Sequence, residues 1–137
     1  MNFEEKLFEN FRFNTEKINT DEYISQKEQE INYKFSEKYI EFMKKCNGGF
    51  GHIGEGDIDI WGLEEVIDFY DNCEMEQYIT FASDGCGMYL AFERNCNQII
   101  SLPSDDLSYD NPKEYSESFE EMFTELYRGK QFDVWGE

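Results

Sequence analysis

The sequence predicts an α+β fold: an antiparallel sheet meander flanked by N-terminal helices and by a C-terminal amphipathic helix. Three observations carry this reading. Apolar residues recur at helical spacing in the first third of the chain and again from Phe119 to Tyr127. The period shifts to two around Ile58 and Ile60, and two strand-like runs, Tyr78 to Ser83 and Met88 to Glu93, flank a glycine-containing turn. Helices, then strands, then a helix is the order of an α+β chain and not of a doubly wound parallel sheet. A length of 137 residues fits one domain spanning 1–137 with one core, and 13 Phe, nine Tyr and two Trp supply its bulk.

The elements follow in order. Phe3, Leu7, Phe8 and Phe11 stand at helical spacing and predict a short opening helix. A weaker helix covers about 20 to 31. From Ser36 the pattern strengthens: Tyr39, Ile40, Met43 and Cys46 share a helical face, and Ser36 is placed to cap the first turn. Asn47-Gly48-Gly49 then tolerates the left-handed backbone that ends a helix. Ile58 and Ile60 alternate with Asp57 and Asp59 as in a strand with one wet face, and a brief acidic helix follows from Glu64 to Tyr70. Asp84-Gly85-Cys86-Gly87 supplies a hairpin turn, and Gln98 to Leu102 a third adjacent strand. Pro103 and Pro112 bracket a polar loop. Ser118 and Glu121 are spaced as a capping box for the last helix, with Gly129 as its terminator.

Charge excludes several function classes. The formal net charge is -19, and between Lys45 and Arg94 the chain has no Lys or Arg but eleven acids. Such a field repels nucleic-acid phosphates and anionic lipid, and it speeds encounter with a basic partner. No stretch is long and apolar enough to cross a bilayer, and the start of the chain lacks a secretory pattern, so a cytoplasmic location is expected. Cys46, Cys73, Cys86 and Cys96 contain no Cys-x-x-Cys and read as reduced thiols, not as a zinc site.

Motifs for catalysis or cofactors are weak. Gly49-Phe50-Gly51-His52-Ile53-Gly54 is a literal G-x-G-x-x-G, but a helix precedes it where a dinucleotide fingerprint needs a strand, so it reads as a helix stop. His52 is the one histidine and sits in that glycine-rich turn without a nucleophile signature. Asp57 and Asp59 share a strand face, yet no calcium loop surrounds them. No catalytic, cofactor or metal residue is assigned. Trp61 is either a core aromatic, the favoured reading, or a partly exposed anchor.

Taken in order, Glu30-Ile31, the segment Phe35-Ser36-Glu37-Lys38-Tyr39-Ile40-Glu41-Phe42, Asn47-Gly48-Gly49, Ile58-Asp59-Ile60-Trp61, Tyr78-Ile79-Thr80-Phe81-Ala82-Ser83-Asp84-Gly85 and Ser118-Phe119-Glu120-Glu121-Met122-Phe123 resemble the SUKH (Smi1/Knr4-like) superfamily over about residues 24 to 130. Ser36 stands where that family commonly starts the helix with Pro; Ser caps as readily as Pro begins. The resemblance implies a non-catalytic protein-binding domain. For bacterial members it implies immunity: neutralisation of a cognate toxin, often a basic nuclease, by direct binding. The alternative is a regulatory scaffold domain binding a signalling or cell-wall protein, and a hydrolase using His52 or a carboxylate pair is a third class. On the immunity reading, Asp57, Asp59, Glu64, Asp68, Asp71 and Asp84 are the expected contact acids, with Trp61 as a possible anchor.

Overall fold

A computed structural model describes residues 8–54, 56–72, 77–84, 87–94, 96, 98–103 and 113–129. Seven strands form one antiparallel sheet in strictly sequential order: β1 (Asn10–Phe13), β2 (Gly49–Ile53), β3 (Gly56–Ile60), β4 (Tyr78–Ser83), β5 (Met88–Glu93), β6 (Ile99–Pro103) and β7 (Lys113–Ser116). Four helices are interleaved with them: α1 (Asp21–Ile31), α2 (Glu37–Lys45), α3 (Leu63–Asn72) and α4 (Phe119–Tyr127). The α+β meander is as expected.

Each helix begins where its sequence satisfies the free amides of its first turn. The Thr20 hydroxyl accepts from Tyr23 N, Ser36 from Tyr39 N and Ser118 from Glu121 N. Helix α3 has no local cap of this kind. Asn47, sixteen residues upstream, accepts from Leu63 N at 2.9 Å, and the Glu65 carboxylate accepts from Gly62 N at 3.2 Å. Asn47 also accepts from Asn19 Nδ2 at 3.1 Å. The Asn47-Gly48-Gly49 stretch therefore joins elements as well as stopping α2. Gly48 has φ +85°, and a Cβ there would lie 2.2 Å from the Ile60 carbonyl oxygen, so no other residue fits the approach to β3.

One core collects apolar side chains from one sheet face and from all four helices. Its centre is aromatic: the Phe81 and Phe92 rings stack 4.3 Å apart, and Tyr39 and Phe119 meet edge-on at 5.1 Å. On the opposite face Ala91, Ile100 and Leu102 form a second buried cluster beside Tyr78. Arg94 donates to the Ile31 and Asn32 carbonyls and to the Tyr70 hydroxyl, placing a cation at the C-terminus of α1 and tying it to α3.

Two expectations need correction. The opening helix is not formed at Phe11, which lies in β1; Phe3 and Leu7 fall outside the described residues. Phe11 and Phe13 share the inner side of a strand paired with β2, with rings 5.1 Å apart, and this period of two overrides the three-residue spacing of Phe8 and Phe11. The Gly49–Ile53 stretch, read as a turn, is strand β2. Strand β7 follows the proline-bracketed loop, and that loop, residues 104–112, lies outside the described residues. Cys46 and Cys96 are free thiols; Cys73 and Cys86 fall outside the described residues. Among the described residues no helix is long and apolar enough to cross a membrane.

Candidate functional site: an acidic cleft at the β1–β3 end

Directly opposed residues of an antiparallel sheet share a face. The register Arg12–Phe50–Asp59–Ser83–Tyr89–Leu102 therefore runs as one row over six strands on the face away from the main core. At its β1 end the row is open to water: Arg12, Phe50 and Asp59 are exposed. Beside it, His52 opposes Asp57, and their side chains are in direct contact.

This open end forms one wall of a cleft of about 360 Å³, closed on the other side by the Phe13–Glu16 segment and by the start of α3. Phe50 is 56% exposed and Phe13 37%. Asp59, Glu65 and Glu16 contribute carboxylates and Arg12 a guanidinium, which lies 6.0 Å from the Phe50 ring centroid. Burial, together with the charge of Glu65, holds the Asp59 carboxyl above its ordinary value. Backbone hydrogen bonds fix the walls: Asn14 N donates to the Gly48 carbonyl at 3.0 Å, and Asn47 N to the Asn14 carbonyl at 2.8 Å.

The other sequence-selected residues are distributed around this end. Glu64, Asp68 and Asp71 occupy one exposed stripe of α3 at i, i+4 and i+7. The acids that are uncompensated along the chain are partly compensated in space: Lys17 contacts Glu64 at 2.6 Å, and the hydrogen bond it donates lowers the Glu64 carboxyl. Among the described residues Asp59, Asp68 and Asp71 make no ion pair. Asp84 lies at the end of β4, where its Oδ1 accepts from Met88 N at 3.0 Å and closes the hairpin turn. Trp61 is half-buried, with its ring 5.2 Å from Phe69 and 5.5 Å from Tyr89 in edge-on contacts. It packs on the core, as the favoured reading expected, and keeps part of its surface in water.

Sequence reasoning did not select Arg12, Phe50 or Glu65. The available signal was the alternation Gly-Phe-Gly-His, which puts Phe50 and His52 on one side of a strand. As for chemistry, no hydroxyl or thiol is hydrogen-bonded to His52 among the described residues, and there no group of three or more His, Cys, Asp or Glu is arranged to hold a metal ion.

Residues 18–125 match the SMI1 / KNR4 family (SUKH-1). The chain belongs to this family. No curated protein matches it. The SMI1/KNR4 match runs from just before α1 into α4 and covers the Phe50 and Asp59 wall of the cleft.

Proposed function

We propose that this SMI1/KNR4 domain is a non-catalytic cytoplasmic immunity protein that neutralises a cognate bacterial toxin by binding it directly, its target being a basic protein such as a nuclease domain. The observation that carries the reading is the unpaired acidity of the β3 and α3 surface, where Asp59, Asp68 and Asp71 lack cationic partners among the described residues. A nuclease must be basic to hold phosphates, and an acidic protector meets such a surface quickly. Asp57, Asp59, Glu64, Asp68, Asp71, Asp84 and Trp61 remain the proposed contact residues, with Phe50 and Glu65 added from the cleft.

Co-expression with the toxin encoded beside the gene, followed by a pull-down, tests this. The expected outcome is protection from the toxin and a complex whose association rate falls as salt rises from 50 to 500 mM, roughly the range in which the Debye length shrinks from above 10 Å to below 5 Å. No complex at low salt and no protection would remove the immunity reading and favour a regulatory scaffold of the Smi1/Knr4 kind.

A further inference from the structure

Resting on the binding role proposed above, we infer that the cleft between β1, β2 and the start of α3 seats one cationic side chain of the partner, an arginine or a lysine. Its aliphatic stem packs on Phe50 and its charged end meets Asp59 and Glu65.

Two independent features converge there. Among the described residues only Phe13, Ile18 and Phe50 are exposed large apolar side chains, and two of these three line the cleft. Apolar surface left in water next to a concavity is the anatomy of an interface anchor point. Separately, the carboxylates in the lining are electrostatically unsatisfied. Among the described residues Asp59 has neither a hydrogen bond nor an ion pair, and Glu65 commits only Oε1, to Gly62 N. The cleft's own cation, Arg12, lies against the Phe50 ring and forms no ion pair with either acid. Three lining acids against one base leave a net charge of -2.

A lysine or arginine side chain satisfies both features together, because its stem is apolar and its tip charged. The aromatic face and the carboxylates also supply cation–π and charge-assisted hydrogen-bonding partners. The Asp59 carboxyl, raised first by partial burial and then by the charge of Glu65, fits this arrangement, since an incoming cation offsets both. Walls already held by backbone hydrogen bonds keep the ordering cost of binding low.

The test uses the full chain, labelled for amide NMR at low salt, and three probes: acetyl-Gly-Arg-Gly-amide, its lysine counterpart and its uncharged citrulline counterpart. Saturable shifts of the Phe50, Asp59, Gly62 and Glu65 amides are expected with the cationic peptides and not with citrulline. D59N is expected to weaken the cationic peptides about tenfold, the worth of one charge-assisted hydrogen bond. F50A, a surface change that leaves the fold in place, is expected to weaken them as well. Equal shifts with citrulline, or shifts spread along Asp68 and Asp71 that persist in D59N, would overturn the inference. The toxin itself separates the two levels of the argument: if wild type, D59N and F50A capture it equally, the cleft inference fails while the binding role stands.

Discussion

One face of one sheet behaves differently at its two ends. Leu102 and Phe50 lie in the same cross-strand row, yet Leu102 is fully buried beside Ala91 and Ile100 while Phe50 projects into water next to Asp59. Phe50 carries apolar area comparable to that of Leu102, and the fold does not cover it. A side chain buried on folding contributes stability in proportion to the area it removes from water; one left exposed contributes little and is available to something else. The β5–β6 end is thus a stability region, and the β1–β3 end is a surface held in place by it.

The sharpest way to break this comparison is to truncate both residues. Leu102→Ala is expected to cost about 2–5 kcal/mol in urea denaturation, whereas Phe50→Ala should change stability by no more than about 0.5 kcal/mol. A large loss for Phe50→Ala would show that the open end is structural after all. An intermediate effect belongs to Arg94, which serves the interior although it is charged. Arg94→Gln, which removes charged hydrogen bonds to α1 carbonyls and Tyr70, should cost about 1–3 kcal/mol. The same measurement checks it.

A smaller effect than that of Arg94 has the opposite sign. Folding raises the Asp59 carboxyl, so the folded chain holds its proton more readily than the unfolded chain does. Any stability from this group is present at acid pH and lost as pH rises through its folded value, and at neutral pH the ionised carboxylate works against the fold. Asp59→Asn should therefore raise stability at pH 7, by less than about 1 kcal/mol because the group is partly exposed, and should flatten the pH dependence between pH 7 and 4. Denaturant midpoints at both pH values measure this. A loss of stability at pH 7 would mean that the carboxylate is satisfied within the folded chain.

The ease of reading each element from sequence followed the range of the interactions that define it. Helices α2 and α4 and the β4–β5 hairpin were legible because caps, apolar stripes and the turn lie within a few residues of one another. Strand β2 was not, because two of its three inward positions, Gly49 and Gly51, are glycines and only Ile53 is apolar: a Cβ on Gly49 would lie 2.6 Å from the Phe11 ring, so β1 fills the space that a side chain there would otherwise occupy. Strand β7 is four residues long and mostly polar, too short to show a period. For the candidate site, the shared face of Asp57 and Asp59 was visible in the alternation of β3. Phe50 and Arg12 were not, since their placement depends on pairing between distant segments. The compensation of Glu64 likewise comes from Lys17, 47 residues away.

The sequential strand order has a kinetic consequence. Strands β4, β5 and β6 pair across short turns, whereas Phe13 and Gly49, which face each other across β1 and β2, are 36 positions apart and enclose α1 and α2. Bringing distant segments together costs more chain entropy than closing a hairpin, so the β1–β2 pairing is the late step of folding. The cleft wall supplied by β1 is then the last part of the sheet to assemble. A folding chain acquires its hydrophobic centre before its acidic pocket, and on the proposed role it becomes competent to bind only once β1 has docked.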